Sequence, residues 1–179
     1  MSIRPLKISV IGLPKAGKTS IVHRLKHNTF LQRPKTTIGV SAEIVEIGDL
    51  RLVLWDVGGH ALHALWNQYR KGTRGIFYVI DIADPKQFSE TQDNLEWITS
   101  DVTMENIPIA ILANKIDIAD LSEKKEILSI LALKERDGKV KLFQTSAKTG
   151  TGVNEAINWI RNHVQKPETP PTDQEQVMG

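Results

Sequence analysis

A chain of 179 residues, 40% hydrophobic and 25% charged, is long enough for one domain with a sizeable core and has an ordinary soluble composition. The net charge of +2 offers no argument for nucleic acid or an acidic membrane as a partner, and the lack of cysteine excludes disulfides, thiolate metal sites, thiol nucleophiles and cysteine-borne lipids. No stretch approaches the ~20 apolar residues of a membrane helix. The segment MSIRPLK has no apolar core of signal-peptide length and Ser2 replaces the glycine that myristoylation needs, so a cytoplasmic protein with no lipid anchor of its own is expected.

In chain order, LKISVI (6–11) reads as a strand and residues 18–29 as a helix. SAEIVEI (41–47) and LRLVLWD (50–56) flank Gly48-Asp49, which predicts a hairpin with a tight turn. GIFYVID (75–81) is apolar throughout, as a strand covered on both faces would be. Residues 86–101 suit a helix with Phe88, Leu95 and Ile98 turned inward. IPIAILA (107–113) predicts a buried strand, residues 122–134 a helix, and VKLFQ (140–144) a strand. Residues 153–165 place Val153, Ala156, Ile157, Ile160 and Val164 at helical spacing. The alternation predicts an α/β fold: a six-stranded, mostly parallel sheet with one antiparallel edge strand and helices on both faces. The domain spans residues 1–165; the Pro-rich, apolar-poor residues 166–179 read as a disordered tail.

In such folds ligands bind beyond the carboxyl ends of the strands, and five segments fall there. Gly12-Leu13-Pro14-Lys15-Ala16-Gly17-Lys18-Thr19 matches G-x-x-x-x-G-K-[ST] between a strand and a helix. Its glycines let successive N–H groups turn into one concavity, which with the following helix N-terminus binds phosphate oxygens. Pro14 has no N–H to give, so the cradle runs from Lys15 through Ala16, Gly17, Lys18, Thr19 and Ser20. Lys18 would reach the β- and γ-phosphates, and the Thr19 hydroxyl would ligate Mg²⁺. In Trp55-Asp56-Val57-Gly58-Gly59-His60, Asp56 suits Mg²⁺, a hard cation, and Gly59 would bring a backbone N–H to the γ-phosphate.

Asn114-Lys115-Ile116-Asp117 follows a strand. A carboxylate at Asp117 accepts from guanine N1 and its exocyclic amine, a donor pair adenine lacks. The plainer reading, an N-cap at Asn114 or Asp117, loses weight downstream of a phosphate loop. Thr145-Ser146-Ala147-Lys148 follows the last strand. Its backbone would touch guanine O6 while Lys148 packs near the base. In Lys35-Thr36-Thr37-Ile38-Gly39 either threonine would complete the Mg²⁺ shell when a γ-phosphate is present, and loss of that phosphate would free the segment.

GLPKAGKT, TTIG, WDVGGH, NKID and TSAK, in this order and spacing, resemble the Arf/Sar branch of the Ras-like small GTPases over about residues 6–165. Trp55 is typical of that branch, and Leu65-Trp66-Asn67-Gln68-Tyr69 is similar to its tryptophan-aromatic helix. The resemblance implies a P-loop GTPase: a monomeric, Mg²⁺-dependent switch, active with GTP and inactive with GDP. An exchange factor, a GTPase-activating protein and an effector are its implied partners. It assigns Thr37 to the Mg²⁺ shell, nineteen residues before Asp56. Lys18, Gly59 and His60 are its implied catalytic residues.

Three departures matter. His60 stands where Arf proteins carry glutamine and Sar proteins histidine; either orients the attacking water. Pro14 replaces an Arf aspartate. The N-terminal amphipathic helix of the branch is missing, so membrane contact is expected only through a partner. Arg33 lies four residues before Thr37, one more than the arginine finger of heterotrimeric alpha subunits, and reads as a solvated loop residue. His23 and His27, at i and i+4, lack the carboxylate motif of a zinc site. The competing functions are a nucleotide-binding interaction protein with negligible hydrolysis, and a metabolic P-loop kinase, which would need an arginine-bearing lid.

Overall fold

The computed structural model describes residues 5–47, 50–58, 62–120, 125–132 and 139–164. In chain order the elements are β1 (Leu6–Ile11), α1 (Lys18–His27), β2 (Val40–Ile47), β3 (Leu50–Val57), α2 (Leu62–Tyr69), β4 (Thr73–Asp81), α3 (Phe88–Ser100), β5 (Ile109–Asn114), α4 (Lys125–Ala132), β6 (Val140–Gln144) and α5 (Val153–His163). One sheet holds all six strands in the order β2-β3-β1-β4-β5-β6. Only the β2–β3 pair is antiparallel, with Ile47 opposite Leu50; β1 pairs in parallel with β3 and β4, and β5 with β4 and β6. The expected sheet is therefore the observed one.

The two-residue period of a strand sends alternate side chains to opposite faces. Leu6, Ile8 and Val10 of β1, Phe77 and Val79 of β4, and Ala110 and Leu112 of β5 join one apolar cluster. It is roofed by Ile21 and Val22 of α1 and by Val153, Ala156, Ile157 and Ile160 of α5. Ile76, Tyr78 and Ile80, with Ile109 and Ile111, form the second cluster beneath Trp66 of α2, Leu95 and Ile98 of α3, and Leu131 of α4. Both faces of β4 and β5 are thus buried, which is why their sequences read as unbroken apolar runs. Trp66 also donates its indole N–H to Asp101 Oδ2 (3.1 Å), fixing α2 to the end of α3. Trp97 is exposed and packs against His63 and Trp66, while Trp159 packs against Phe143.

Several expected boundaries move, each for a local reason. α1 stops at His27 because Asn28 turns left-handed (φ 53°) and donates its N–H back to Arg24 O. The expected helix over residues 86–101 is a 3-10 turn, Pro85–Gln87, capped by the Asp84 carboxylate, followed by α3. β5 starts at Ile109, because Ile107 N–H closes a turn onto Met104 O. The Gly48-Asp49 turn, the ends of the helix expected at 122–134, and residues 165–179 lie outside the described residues. Among the described residues no helix is long and apolar enough to cross a membrane.

Candidate nucleotide-binding site

Five strands run parallel, so the loops after β1, β3, β4, β5 and β6 open on one rim of the sheet. The loop after β1 depends on backbone freedom. Gly12 has φ 144°, and a Cβ there would lie 2.1 Å from the Val79 carbonyl oxygen; Gly17 has φ 99°, and a Cβ would lie 2.4 Å from Asn114 Nδ2. Lys15 also takes a positive φ, 66°, unusual for a side-chain-bearing residue. α1 then begins at Lys18 with no side chain capping its N-terminus, leaving first-turn amides and the helix dipole to favour anions. Lys18 is 6% exposed, and its ammonium donates to the carbonyls of Gly12 (3.0 Å) and Leu13 (2.9 Å). Burial lowers its pKa to about 8, against the opposing pull of the Asp56 carboxylate.

Beside this loop, three side chains from three segments converge. Thr19 Oγ1 donates to Asp56 Oδ2 (2.5 Å), Thr37 Oγ1 donates to the same oxygen (3.2 Å), and the two hydroxyls are 2.9 Å apart. Asp56 is 2% exposed, and its Oδ1 is buried without a hydrogen-bond partner. A buried, unpaired carboxylate oxygen beside two hydroxyls is an all-oxygen donor set, which fits a hard divalent cation. Of the adjacent threonines, Thr37 is the one that makes these contacts. Gly58 N–H donates to Gly39 O (2.8 Å), joining the loop after β3 to the segment that carries Thr37.

The loops after β5 and β6 are tied by side chains. Asn114, 1% exposed, donates from Nδ2 to Ala16 O (2.9 Å) and accepts the Ala147 N–H at Oδ1 (3.1 Å), so it links the phosphate loop to the last loop. Lys115, at φ 71°, sets its ammonium 2.6 Å from Asp81 Oδ2, and Asp81 Oδ1 accepts the Ala83 N–H. Ser146 Oγ donates to Asp117 Oδ1 (2.6 Å) and accepts the Thr149 N–H, orienting the carboxylate.

A cavity of about 560 Å³ unites these parts. Lys15, Gly17, Lys18, Thr19, Ser20 and Thr37 line it, as do Asn114, Lys115, Asp117, Ala147 and Lys148. Ala16, Asp56 and Ser146 are buried behind the lining. Gly59 and His60 lie outside the described residues. Arg33 is exposed and is not part of the lining. His23 meets His27 and Thr29, and no group of three His, Cys, Asp or Glu side chains poised for a metal occurs among the described residues. Phe30, Pro34 and Ile118 also line the cavity and carry no motif. Phe30 and Ile118 are left 38% and 65% exposed beside motif segments, a property visible only once the chain is folded.

Comparison with known proteins agrees with this geometry. The profile of the ADP-ribosylation factor family matches residues 1–164. The chain is 33% identical to ADP-ribosylation factor-like protein 1 of Caenorhabditis elegans over 165 residues, 91% of each chain. It is 31% identical to ADP-ribosylation factor-like protein 8b of Arabidopsis thaliana over 160 residues, 88% of this chain and 87% of that one. It is 32% identical to ADP-ribosylation factor-related protein 1 of Rattus norvegicus over 164 residues, 86% of this chain and 82% of that one. Among solved structures, the Arl6 BBS3 small GTPase from Trypanosoma brucei, determined with the bound nucleotide analogue GppNp, superposes with a TM-score of 0.74 at 25% identity, covering 88% of this chain and 96% of that one. The chain belongs to the ADP-ribosylation factor family, the Arf branch of the Ras-like small GTPases, and is a GTP-binding regulatory switch that hydrolyses GTP.

Proposed function

We propose that the cavity holds GTP or GDP with Mg²⁺, phosphates toward Lys18 and guanine toward Asp117. The observation that carries this reading is the meeting of Thr19, Thr37 and Asp56 beside the buried Lys18. The amides of Lys15, Ala16, Gly17, Lys18, Thr19 and Ser20 cradle phosphate oxygens, and the Lys18 ammonium neutralises charge that builds on them during transfer. Thr19, Thr37 and Asp56 hold Mg²⁺, which supplies charge neutralisation at the phosphates when bound. Asp117, oriented by Ser146, accepts from the guanine edge; Asn114 keeps the two ends of the site in register; the stems of Lys115 and Lys148 flank the base. Gly59 offers its N–H to the γ-phosphate, and His60 accepts a hydrogen bond from the attacking water.

Thr37 reaches the cation site from a loop also bonded to Gly58, so loss of the γ-phosphate releases both segments. An exchange factor, a GTPase-activating protein and an effector read this cycle; the chain acts as a monomer in the cytoplasm, and any contact with membranes runs through a partner. Binding of a fluorescent GDP analogue, competed with GTP and ATP, with and without chelator, tests the site. Guanine selectivity and faster release on chelation are expected; equal competition by ATP removes the reading. Single-turnover hydrolysis tests His60: because a protonated imidazole cannot accept from water, the rate should drop as acidification protonates the ring. A rate indifferent to both pH and His60→Ala takes His60 out of the chemistry.

A further inference from the structure

Arg24 belongs to none of the five motif segments. It lies on α1, partly buried, and its guanidinium reaches three backbone carbonyls: Nε donates to Ala147 O (2.8 Å), Nη2 to Lys148 O, and Nη1 to Asn28 O (2.9 Å). Two of these acceptors are successive carbonyls of the loop after β6, a strand with a neighbour on one side only. That loop turns at Gly150 (φ 88°) and Gly152 (φ 71°) and closes on itself through Gly150 N–H to Ser146 O (2.8 Å) and Ser146 N–H to Thr151 O (2.9 Å), bonds that leave the Ala147 and Lys148 carbonyls to Arg24. Ala147 is therefore gripped at both polar groups, its N–H by Asn114 Oδ1 (3.1 Å) and its carbonyl by Arg24.

We propose that Arg24 is a positioning residue for base recognition: it holds the 147–148 main chain where guanine O6 is read. The inference rests on the guanine reading of the cavity given above. The planar guanidinium matches two adjacent carbonyls at once, a geometry an ammonium cannot reproduce. It also joins the loop to the helix that starts at the phosphate cradle, so both ends of the nucleotide are held by one rigid body. The left-handed cap at Asn28, where α1 ends, is the third point of the grip.

Three diphosphates separate positioning from general loosening. IDP lacks the exocyclic amine read by Asp117, and 6-thioguanosine diphosphate, the O6-lacking analogue, keeps N1–H and the amine but carries a weakly accepting sulfur in place of O6. Affinities of GDP and of both analogues are measured for wild type, Arg24→Gln and Arg24→Lys, with thermal unfolding alongside. Wild type is expected to favour GDP over both analogues. Arg24→Gln should shrink the GDP preference over the O6-lacking analogue about tenfold, near the worth of one charge-assisted hydrogen bond, and leave the GDP-to-IDP ratio within about twofold. Arg24→Lys, which keeps the charge without the fork, should fall between; it carries the test alone if Arg24→Gln does not fold. Unchanged ratios, or equal shrinkage of both, overturn the inference and leave the guanine site standing. A wild type indifferent to the base overturns both.

Discussion

The phosphate end and the base end of the cavity are built by different means. At the phosphate end the backbone does the shaping: Gly12, Lys15 and Gly17 take positive φ, and the polar groups are either buried (Lys18) or unpaired (Asp56 Oδ1). At the base end side chains brace one another, as in Asn114 to Ala16 and Ala147, Ser146 to Asp117, and Lys115 to Asp81. The first arrangement compensates desolvation only in part, leaving Asp56 Oδ1 unpaired, so a polyanion and its cation gain most there. The second is already satisfied, so it supplies shape and selectivity. On the proposed reading of the cavity, the phosphate end should govern affinity and the base end discrimination.

The largest expected effect tests the backbone half of that contrast. Gly12→Ala places a methyl group 2.1 Å from the Val79 carbonyl in a left-handed conformation, and should destabilise the fold by about 3 kcal/mol or more in denaturant titration. A stability within 1 kcal/mol of wild type, on the scale of ordinary surface changes, would show that the loop relaxes freely.

Next in size is Lys18→Ala, which removes charge-assisted contacts and should weaken GDP binding about a hundredfold. Lys18 also sets a pH signature. Its pKa in the folded chain, about 8, lies below the ordinary lysine value of 10.5. Below pH 8 the lysine is charged in both folded and unfolded chains and the burial penalty is complete. From about 8 toward 10.5 the unfolded chain holds more protons, so the stability of the nucleotide-free protein rises across that window. Phosphate favours the charged amine, so GDP binding near pH 8.5 should take up a proton and weaken as pH rises further. Calorimetry in buffers of different ionisation enthalpy reads the uptake, which Lys18→Ala should abolish.

The smallest effect belongs to the base end. Ser146→Ala frees Asp117 from its 2.6 Å bond and should lower the preference for GDP over IDP about tenfold, with a smaller loss of phosphate affinity. An equal loss for GDP and IDP would erase the division of labour.

Most of the cavity lining was legible because it comes from short runs in which backbone conformation and chemistry coincide. GLPKAGKT signals its own turn, and NKID and TSAK sit at strand ends. The sheet was legible for the same reason: apolar runs and their alternation are local. What escaped depends on distance along the chain. Arg24 meets Ala147 across 123 residues, and Lys115 meets Asp81 across 34, with nothing local to announce either pair. Phe30 and Ile118 look like ordinary loop residues until folding brings both to one cavity. The residues alone left Thr36 and Thr37 open, the resemblance pointed to Thr37, and the contact with Asp56 agrees; the helix expected from residue 86 broke because the Asp84 cap and Pro85 favour a tighter first turn.

The bond from Gly58 N–H to Gly39 O has a wider consequence. It joins two peptide units with no side chain involved, and a Cβ on Gly58 would come within 2.6 Å of Thr37 O. The two segments therefore share a latch that side-chain chemistry cannot adjust. Under the proposed cycle, a protein docking on either segment would sense the state of both.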